Sequence, residues 1–170
     1  MIRSRLALLL LAAAAVAGCE APQENSAPPT ATADGFRSGE CNLVSDDDID
    51  AAAGAGIFTK VVVGDAGCFW QENSMISSIG AGMGISTWWY RGSDLDIERT
   101  LERKAGREIT ELSLNGNSGF QASDENACSV YVAKGGDVIT WSIQTMNPAT
   151  LPPLCTVIRR LAEQSQDRVN

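Results

Sequence analysis

Acidic clusters, a glycine-rich stretch and five cysteines are the residues of this chain whose types and spacing suit chemistry. Asp46, Asp47, Asp48 and Asp50 put four carboxylates close together, the hard oxygen ligands that calcium takes. An EF-hand loop also needs a glycine after the third acid and a distant glutamate, and neither falls in place. The acids read instead as the start of a helix, where the dipole favours negative charge. No metal site is expected. Gly80-Ala81-Gly82-Met83-Gly84 has the composition of a phosphate-cradling loop. It leads into a strand pattern rather than a helix, and no Gly-Lys-Ser/Thr follows, so a flexible strand lead-in is expected. Asp94, Asp96, Glu98, Glu102 and Glu108 offer carboxylates, but Arg99, Arg103, Lys104 and Arg107 are interleaved with them, as on a solvated helix. Carboxylate catalysis needs two acids converging on a cleft. The chain has no histidine, which removes the commonest general base, the commonest zinc ligand and every Ser-His or Cys-His pair. The expectation is no catalytic constellation and no cofactor.

Trp88, Trp89 and Tyr90 are the strongest candidates for a binding surface. Neighbours in a strand point to opposite faces, so Trp89 can join the core while Trp88 and Tyr90 face the other way. If helices leave that second face uncovered, it presents aromatic rings of the kind that meet sugars, lipids or protein partners. Trp70 and Trp141 are assigned to the core.

The cysteines set the frame that holds these residues. Cys41, Cys68, Cys128 and Cys155 are an even number within the part that folds, and Cys19 stands apart near the N-terminus. In an exported chain an even count implies disulfides, and four cysteines allow three pairings. Cys41–Cys68 and Cys128–Cys155 are favoured, because each joins sequence neighbours. A four-thiolate metal site is set aside for want of any C-x-x-C spacing.

Ser45 opens a helix to about Ala53, with an acid three positions on to complete a capping box. Phe58–Val63, Cys68–Glu72 and Ala81–Tyr90 read as strands. Ser93 caps a second helix to about Ala105, with Ile97, Leu101 and Ala105 on one face. Glu108–Leu114 and Gly119–Ala122 flank an Asn115-Gly116 turn, and Cys128–Ala133 and Val138–Gln144 flank Lys134-Gly135-Gly136-Asp137. A third helix follows Pro152-Pro153, with Leu154, Val157, Ile158, Leu161 and Ala162 as its apolar stripe. The order is α-βββ-α-ββββ-α. It predicts an α+β domain over residues 39–168: a mostly antiparallel sheet of about six to seven strands, covered by three helices and tied by two disulfides.

The N-terminus supplies an address. Arg3 and Arg5 precede an uninterrupted apolar stretch, Leu6–Val16, too short to span a bilayer but suited to a signal peptide. It ends in Val16-Ala17-Gly18-Cys19, which resembles the lipobox of bacterial lipoproteins. That resemblance implies removal of residues 1–18 and lipidation of Cys19. Residues 19–38 then form a Pro/Ala/Ser/Thr tether. Glu20, rather than Asp, follows the cysteine. By the same resemblance this favours the outer membrane, on its periplasmic face, if the organism is Gram-negative, and otherwise the outer face of the cytoplasmic membrane. The formal charge of the chain is −8. Such a surface repels nucleic-acid phosphates and anionic headgroups, so nucleic acid is excluded as a partner and attachment falls to the lipid.

Taken in order, Cys41-Asn42-Leu43-Val44, Gly67-Cys68-Phe69-Trp70, Cys128-Ser129-Val130-Tyr131-Val132 and Leu154-Cys155 resemble a family of small secreted lipoproteins, a domain of unknown function best known from actinobacteria. The resemblance covers nearly all of residues 39–165 and implies architecture and address, without an activity. The expected function is a lipid-anchored, non-catalytic binding or accessory module of the cell envelope, contacting an envelope protein, glycan or lipid, with Trp88 and Tyr90 at the ligand. One alternative is a His-independent envelope enzyme using carboxylates or lysine, which two buried acids facing each other in a cleft would favour. The other is a purely structural envelope lipoprotein, which a domain without a cavity would favour.

Overall fold

The computed structural model describes residues 40–54, 56–64, 66–73, 75–76 and 80–168. The expected signal segment 1–18, Cys19 and the expected tether 19–38 lie outside the described residues.

Local chemistry sets the element ends. Ser45 Oγ accepts from the Asp48 N–H and Asp48 Oδ2 accepts from the Ser45 N–H, which caps α1 (Asp46–Ala53) reciprocally. Gly54, in the left-handed region at φ 95°, ends it. Three strands follow, β1 (Phe58–Val63), β2 (Gly67–Glu72) and β3 (Gly84–Tyr90), then α2 (Leu95–Lys104). Four more strands, β4 (Glu108–Leu114), β5 (Asn117–Ser123), β6 (Ala127–Lys134) and β7 (Asp137–Gln144), precede α3 (Leu154–Arg168). The strands make one antiparallel sheet in the order β1-β2-β3-β7-β6-β5-β4. The fold is the α+β class that the sequence predicts, with seven strands and three helices. Short 3-10 turns at Cys41–Leu43 and Pro148–Thr150 lead into α1 and α3.

Three details differ from the sequence reading. The third strand begins at Gly84 rather than Ala81. Residues 81–83 are fastened all the same, because the Ala81 carbonyl accepts from the Thr145 hydroxyl and from the Met146 and Asn147 N–H groups. The lead-in expected to be flexible is thus tied to the segment after β7. The cap of α2 is Asp94, not Ser93: its carboxylate accepts from the N–H groups of Asp96 and Ile97.

The two faces of the sheet are covered unequally. On the first face, Cys68, Trp70, Ile85, Cys128, Val130, Ile139, Trp141 and Ile143 pack beneath Ile49 of α1 and Leu154, Val157, Ile158, Leu161 and Ala162 of α3. The predicted stripe of α3 is therefore its buried side. Trp70 and Trp141 are fully buried and stacked with centroids 6.1 Å apart. Trp89 packs against the same core, as its strand parity predicts, and donates to Asp137. Two disulfides, Cys41–Cys68 and Cys128–Cys155, pin the turn before α1 and the start of α3 to this face.

Charge closes the chain's C-terminal end onto α1. Arg168 donates to both carboxylate oxygens of Asp48 and to the Leu43 carbonyl. The Arg168 guanidinium, helped by Ser45, holds the Asp48 carboxyl well below the usual carboxylate range against the cost of burial. A group whose pKa is depressed by folding contributes stability above its unfolded value, and that contribution is lost as the pH falls toward the folded one. Replacing Arg168 by Ala is expected to cost about 1 kcal/mol at neutral pH. The gap between wild type and Arg168→Ala should narrow below about pH 4, where the unfolded carboxyl protonates. Thermal unfolding between pH 7 and pH 2 measures this, and a gap constant over that range would contradict it.

Candidate functional site

The second face of the sheet is covered only in part. Helix α2 lies over β4, β5 and β6. There Phe120, Ala122, Tyr131 and Val138 form a small core with Tyr90, Leu95 and Ile109. Phe120 and Tyr131 stack at 4.6 Å, and the Arg99 guanidinium sits over the Phe120 ring. The other half of this face, from β1 to β7, meets α2 at its Tyr90 and Val138 end, where Leu95 packs, and is less covered beyond that.

The orientation of α2 differs from the one its apolar residues predict. Ile97 and Leu101 are each about half exposed, at 51% and 55%, and Ala105 is exposed as well. The sheet beneath explains the difference. It offers a buried phenol and an aromatic face, and these take Glu102 and Arg99 rather than alkyl groups. At 3.6 residues per turn, Ile97 and Leu101 fall on the Glu98 flank of α2, away from Arg99. Arg99 leans to Glu111 of β4, so that flank is turned to the less covered half of the sheet.

Register determines what lines the less covered half. Across the strands, Val61 stands opposite Phe69, Phe69 opposite Ser86, Ser86 opposite Ser142, Ser142 opposite Ser129 and Ser129 opposite Ala122. Residues two apart share a face, so a parallel row runs Val63, Gly67, Trp88, Thr140, Tyr131, Phe120. Three serines side by side leave a trough in the middle of the face. Phe69 bounds it on the β2 side, and Tyr131 with Glu102 of α2 on the other. The trough encloses about 200 Å³. Arg107 and Gln144 line both it and a wider cavity of about 630 Å³, which continues past Asp124 and Met146.

The polar groups of the trough are linked. Tyr131 donates to Glu102, and Arg107 pairs with Glu102 and with Asp124. Arg107 also donates to Ser129 Oγ at 3.0 Å, and Ser142 donates to the same oxygen at 2.8 Å. Burial, then the hydrogen bond to Glu102, pushes the Tyr131 phenol far up, so it stays a neutral donor. Burial, with the Glu98 and Glu102 charges behind it, raises Tyr90 in the same sense. Thr140, next to Trp88 in its row, keeps a buried hydroxyl without a partner among the described residues.

Trp88 and Tyr90 are both on the second face, as parity predicts, and both are half-buried. They do different things. Tyr90 packs into the small core against α2. Trp88 lies over Gly67: a Cβ placed there would stand 2.8 Å from Trp88 Cε3 and 2.1 Å from the Thr87 carbonyl oxygen. Phe69 covers Gly84 in the same manner, at 3.0 Å. Each ring rests on a neighbouring strand that has no side chain at that point. Gly67→Ala is expected to cost about 1–3 kcal/mol by overpacking and to move Trp88. Urea unfolding followed by tryptophan emission reads both. An unchanged midpoint would mean that Trp88 is held some other way.

The remaining acids are placed as partners of neighbours. Asp46 accepts from Trp70 Nε1 and pairs with Lys60, which hold its carboxyl below the usual range. Asp50 is raised by burial and by the charges of Asp47 and Asp46. Asp96 pairs with Arg99, Glu98 accepts from Ser93, and Glu108 is exposed on β4. Of the five acids in the 94–108 stretch, only Glu102 reaches the trough, where Arg107 bridges it to Asp124. Phe69, Ser86, Ser129, Ser142, Tyr131 and Arg107 are the site residues that strand-by-strand reading misses. Their one signal is a small hydroxyl at the outward position of three apolar strands, and it becomes a site only when β3 and β7 are known to be neighbours.

A family model described as a protein of unknown function, DUF3558, matches residues 14–168. Relatives named "Putative lipoprotein LprB" are similar over most of the chain. The protein of that name from Mycobacterium bovis is 29% identical over 89% of this chain and 86% of its own length. The one from Mycobacterium tuberculosis H37Rv is 29% identical over the same shares, and the one from Mycobacterium leprae is 27% identical over 74% of this chain and 67% of its own. No solved structure matches.

Proposed function

The chain belongs to the DUF3558 family of proteins of unknown function, and on that premise we propose that it is a lipid-anchored, non-catalytic binding or accessory module of the cell envelope. The name lipoprotein, carried by its mycobacterial relatives, supports the envelope address. The lipobox at 16–19 supplies the finer reading, in which residues 1–18 are removed, Cys19 carries acyl chains and residues 19–38 tether the domain at 39–168 outside the cytoplasm. Among the described residues no helix is long and apolar enough to cross a membrane.

The observation that carries the binding role is the half-covered second face. The solvated face of an antiparallel sheet is ordinarily polar, and apolar groups exposed together on it mark an interaction surface. This one keeps Phe69 and Trp88 half-exposed beside a hydroxyl trough, with Val61 and Val63 exposed on the neighbouring strand. The carboxylate-enzyme alternative is less well supported, because Glu102 and Asp124 are both engaged by Arg107. Hydroxyl-radical footprinting tests the binding role. Trp88 and Phe69 should be protected in native envelopes relative to the purified protein, with the exposed Met75 as the internal reference. Equal labelling in both preparations would contradict it.

A further inference from the structure

The chemistry of the trough names a ligand class, an inference that rests on the binding reading above. We propose that the trough binds a neutral, polyhydroxylated ligand, a segment of uncharged glycan, with the Phe69 ring as its platform and the serines, Gln144 and Arg107 as its polar contacts.

Charge decides first. The formal charges lining the two connected cavities are Glu102, Asp124, Glu125 and Arg107. Acids outnumber the single arginine, so an anionic ligand meets repulsion. That arginine is also held at Nε by Asp124 and at Nη1 by Glu102 and Ser129. A cation would have to take Glu102 from both Tyr131 and Arg107.

Hydrogen bonding decides next. An acyl chain laid in the trough would cover Ser86 and the Gln144 amide and satisfy neither, and each buried polar group left unpaired is costly. The Ser86 hydroxyl and the Gln144 amide make no side-chain hydrogen bond among the described residues, although both line the trough. Gln144 presents donors and an acceptor on one plane, and a hydroxyl presents both on one atom. A run of vicinal hydroxyls matches this mixture, whereas a hydrocarbon or a phosphate does not. Ser129 already accepts from Arg107 and Ser142, which leaves its own proton to donate.

Shape decides last. Phe69 lies against Gly84 and stays half-exposed at the edge of the trough, where its ring offers an aromatic surface to a ligand. The polarised C–H groups of a sugar ring meet an aromatic ring well; Trp88, over Gly67 in the next row, is on the same face but does not line the trough. The trough alone, about 200 Å³, is smaller than the roughly 300–1,000 Å³ of small-molecule sites, so it takes one short stretch of the ligand, and the wider cavity of about 630 Å³ that shares Arg107 and Gln144 gives room for the rest.

The experiment uses the full chain in a detergent without a sugar headgroup. Calorimetric titrations are run with neutral trisaccharides of glucose, mannose, galactose and arabinose, with a trigalacturonate, and with oleate. At least one neutral trisaccharide should bind and alter tryptophan emission, and the uronate and oleate should bind more weakly. Gln144→Ala changes an exposed side chain and should weaken binding about tenfold, with the circular dichroism unchanged. Ser142→Leu, which fills the trough, should abolish binding. If the uronate or oleate binds more tightly, and Ser142→Leu removes that binding, the glycan inference falls while the binding role stands. If no neutral trisaccharide responds at about 10 mM, the glycan inference falls. The binding role falls with it only if footprinting also finds no protection at Trp88.

Discussion

Cys19→Ser is expected to yield a chain that incorporates no acyl group and keeps residues 1–18. The reasoning is chemical. A thiol is the nucleophile that takes the diacylglyceryl group, and a hydroxyl at the same place does not become its substitute. Anchoring then changes in kind. Acyl chains contribute about 0.8 kcal/mol per buried methylene, so two or more hold a protein stably. The retained Leu6–Val16 segment falls short of the ~20 apolar residues that cross a bilayer. Basic lipid contacts offer no replacement, because acids outnumber bases 21 to 13 in the full chain. Labelling cells with an alkynyl fatty acid, followed by an alkaline carbonate wash of the membranes, reads both effects. The wild type should be labelled and stay with the membrane, and the variant should be unlabelled and wash off. A labelled variant would put the lipid on another residue.

The second large effect concerns the disulfides. Removing either one by a paired Cys→Ser substitution should cost about 3–4 kcal/mol, and the two pairs should cost the same within about 1 kcal/mol. Each closes a loop with a sequence separation of 27, so the restraint on the unfolded chain is equal. A domain of this size has roughly 5–15 kcal/mol in total, so one pair is a large share. Urea unfolding of Cys41→Ser/Cys68→Ser and Cys128→Ser/Cys155→Ser measures it. The rates of reduction should differ even so. Cys41 and Cys68 are both buried, whereas Cys155 is half-buried at the start of α3, so a small thiol should open Cys128–Cys155 first. A cost below about 1 kcal/mol for either pair would mean that packing alone holds that contact.

The framework of this fold is legible residue by residue, because its cues are local. Ser45 and Asp48 announce α1, Asn115-Gly116 and Gly135-Gly136 announce hairpins, and the stripe from Leu154 to Ala162 announces a buried helix side. The orientation of α2 is not local. Ile97 and Leu101 have the spacing of a packing face, yet the surface they would pack on is set by Phe120 and Tyr131, from strands that come later in the chain. The site is less legible still. Ser86, Ser142 and Ser129 are unremarkable as single polar residues in three strands, and they form a trough only because the chain returns from β6 to place β7 beside β3. Trp88 is legible as a residue of the second face, but its resting place over Gly67 depends on the β2–β3 register. Tyr90, which shares its parity, is drawn into the small core by a helix whose tilt the sequence does not state.

A lipid-anchored domain should carry a ligand on its half-covered face. Native mass spectrometry of the protein gently extracted from its own membrane tests both halves at once. The expected covalent mass begins at acylated Cys19 and is short by the hydrogens of two disulfides, with a non-covalent adduct that Ser142→Leu removes. A mass that retains residues 1–18 without acyl chains, or an adduct that survives Ser142→Leu, would contradict it.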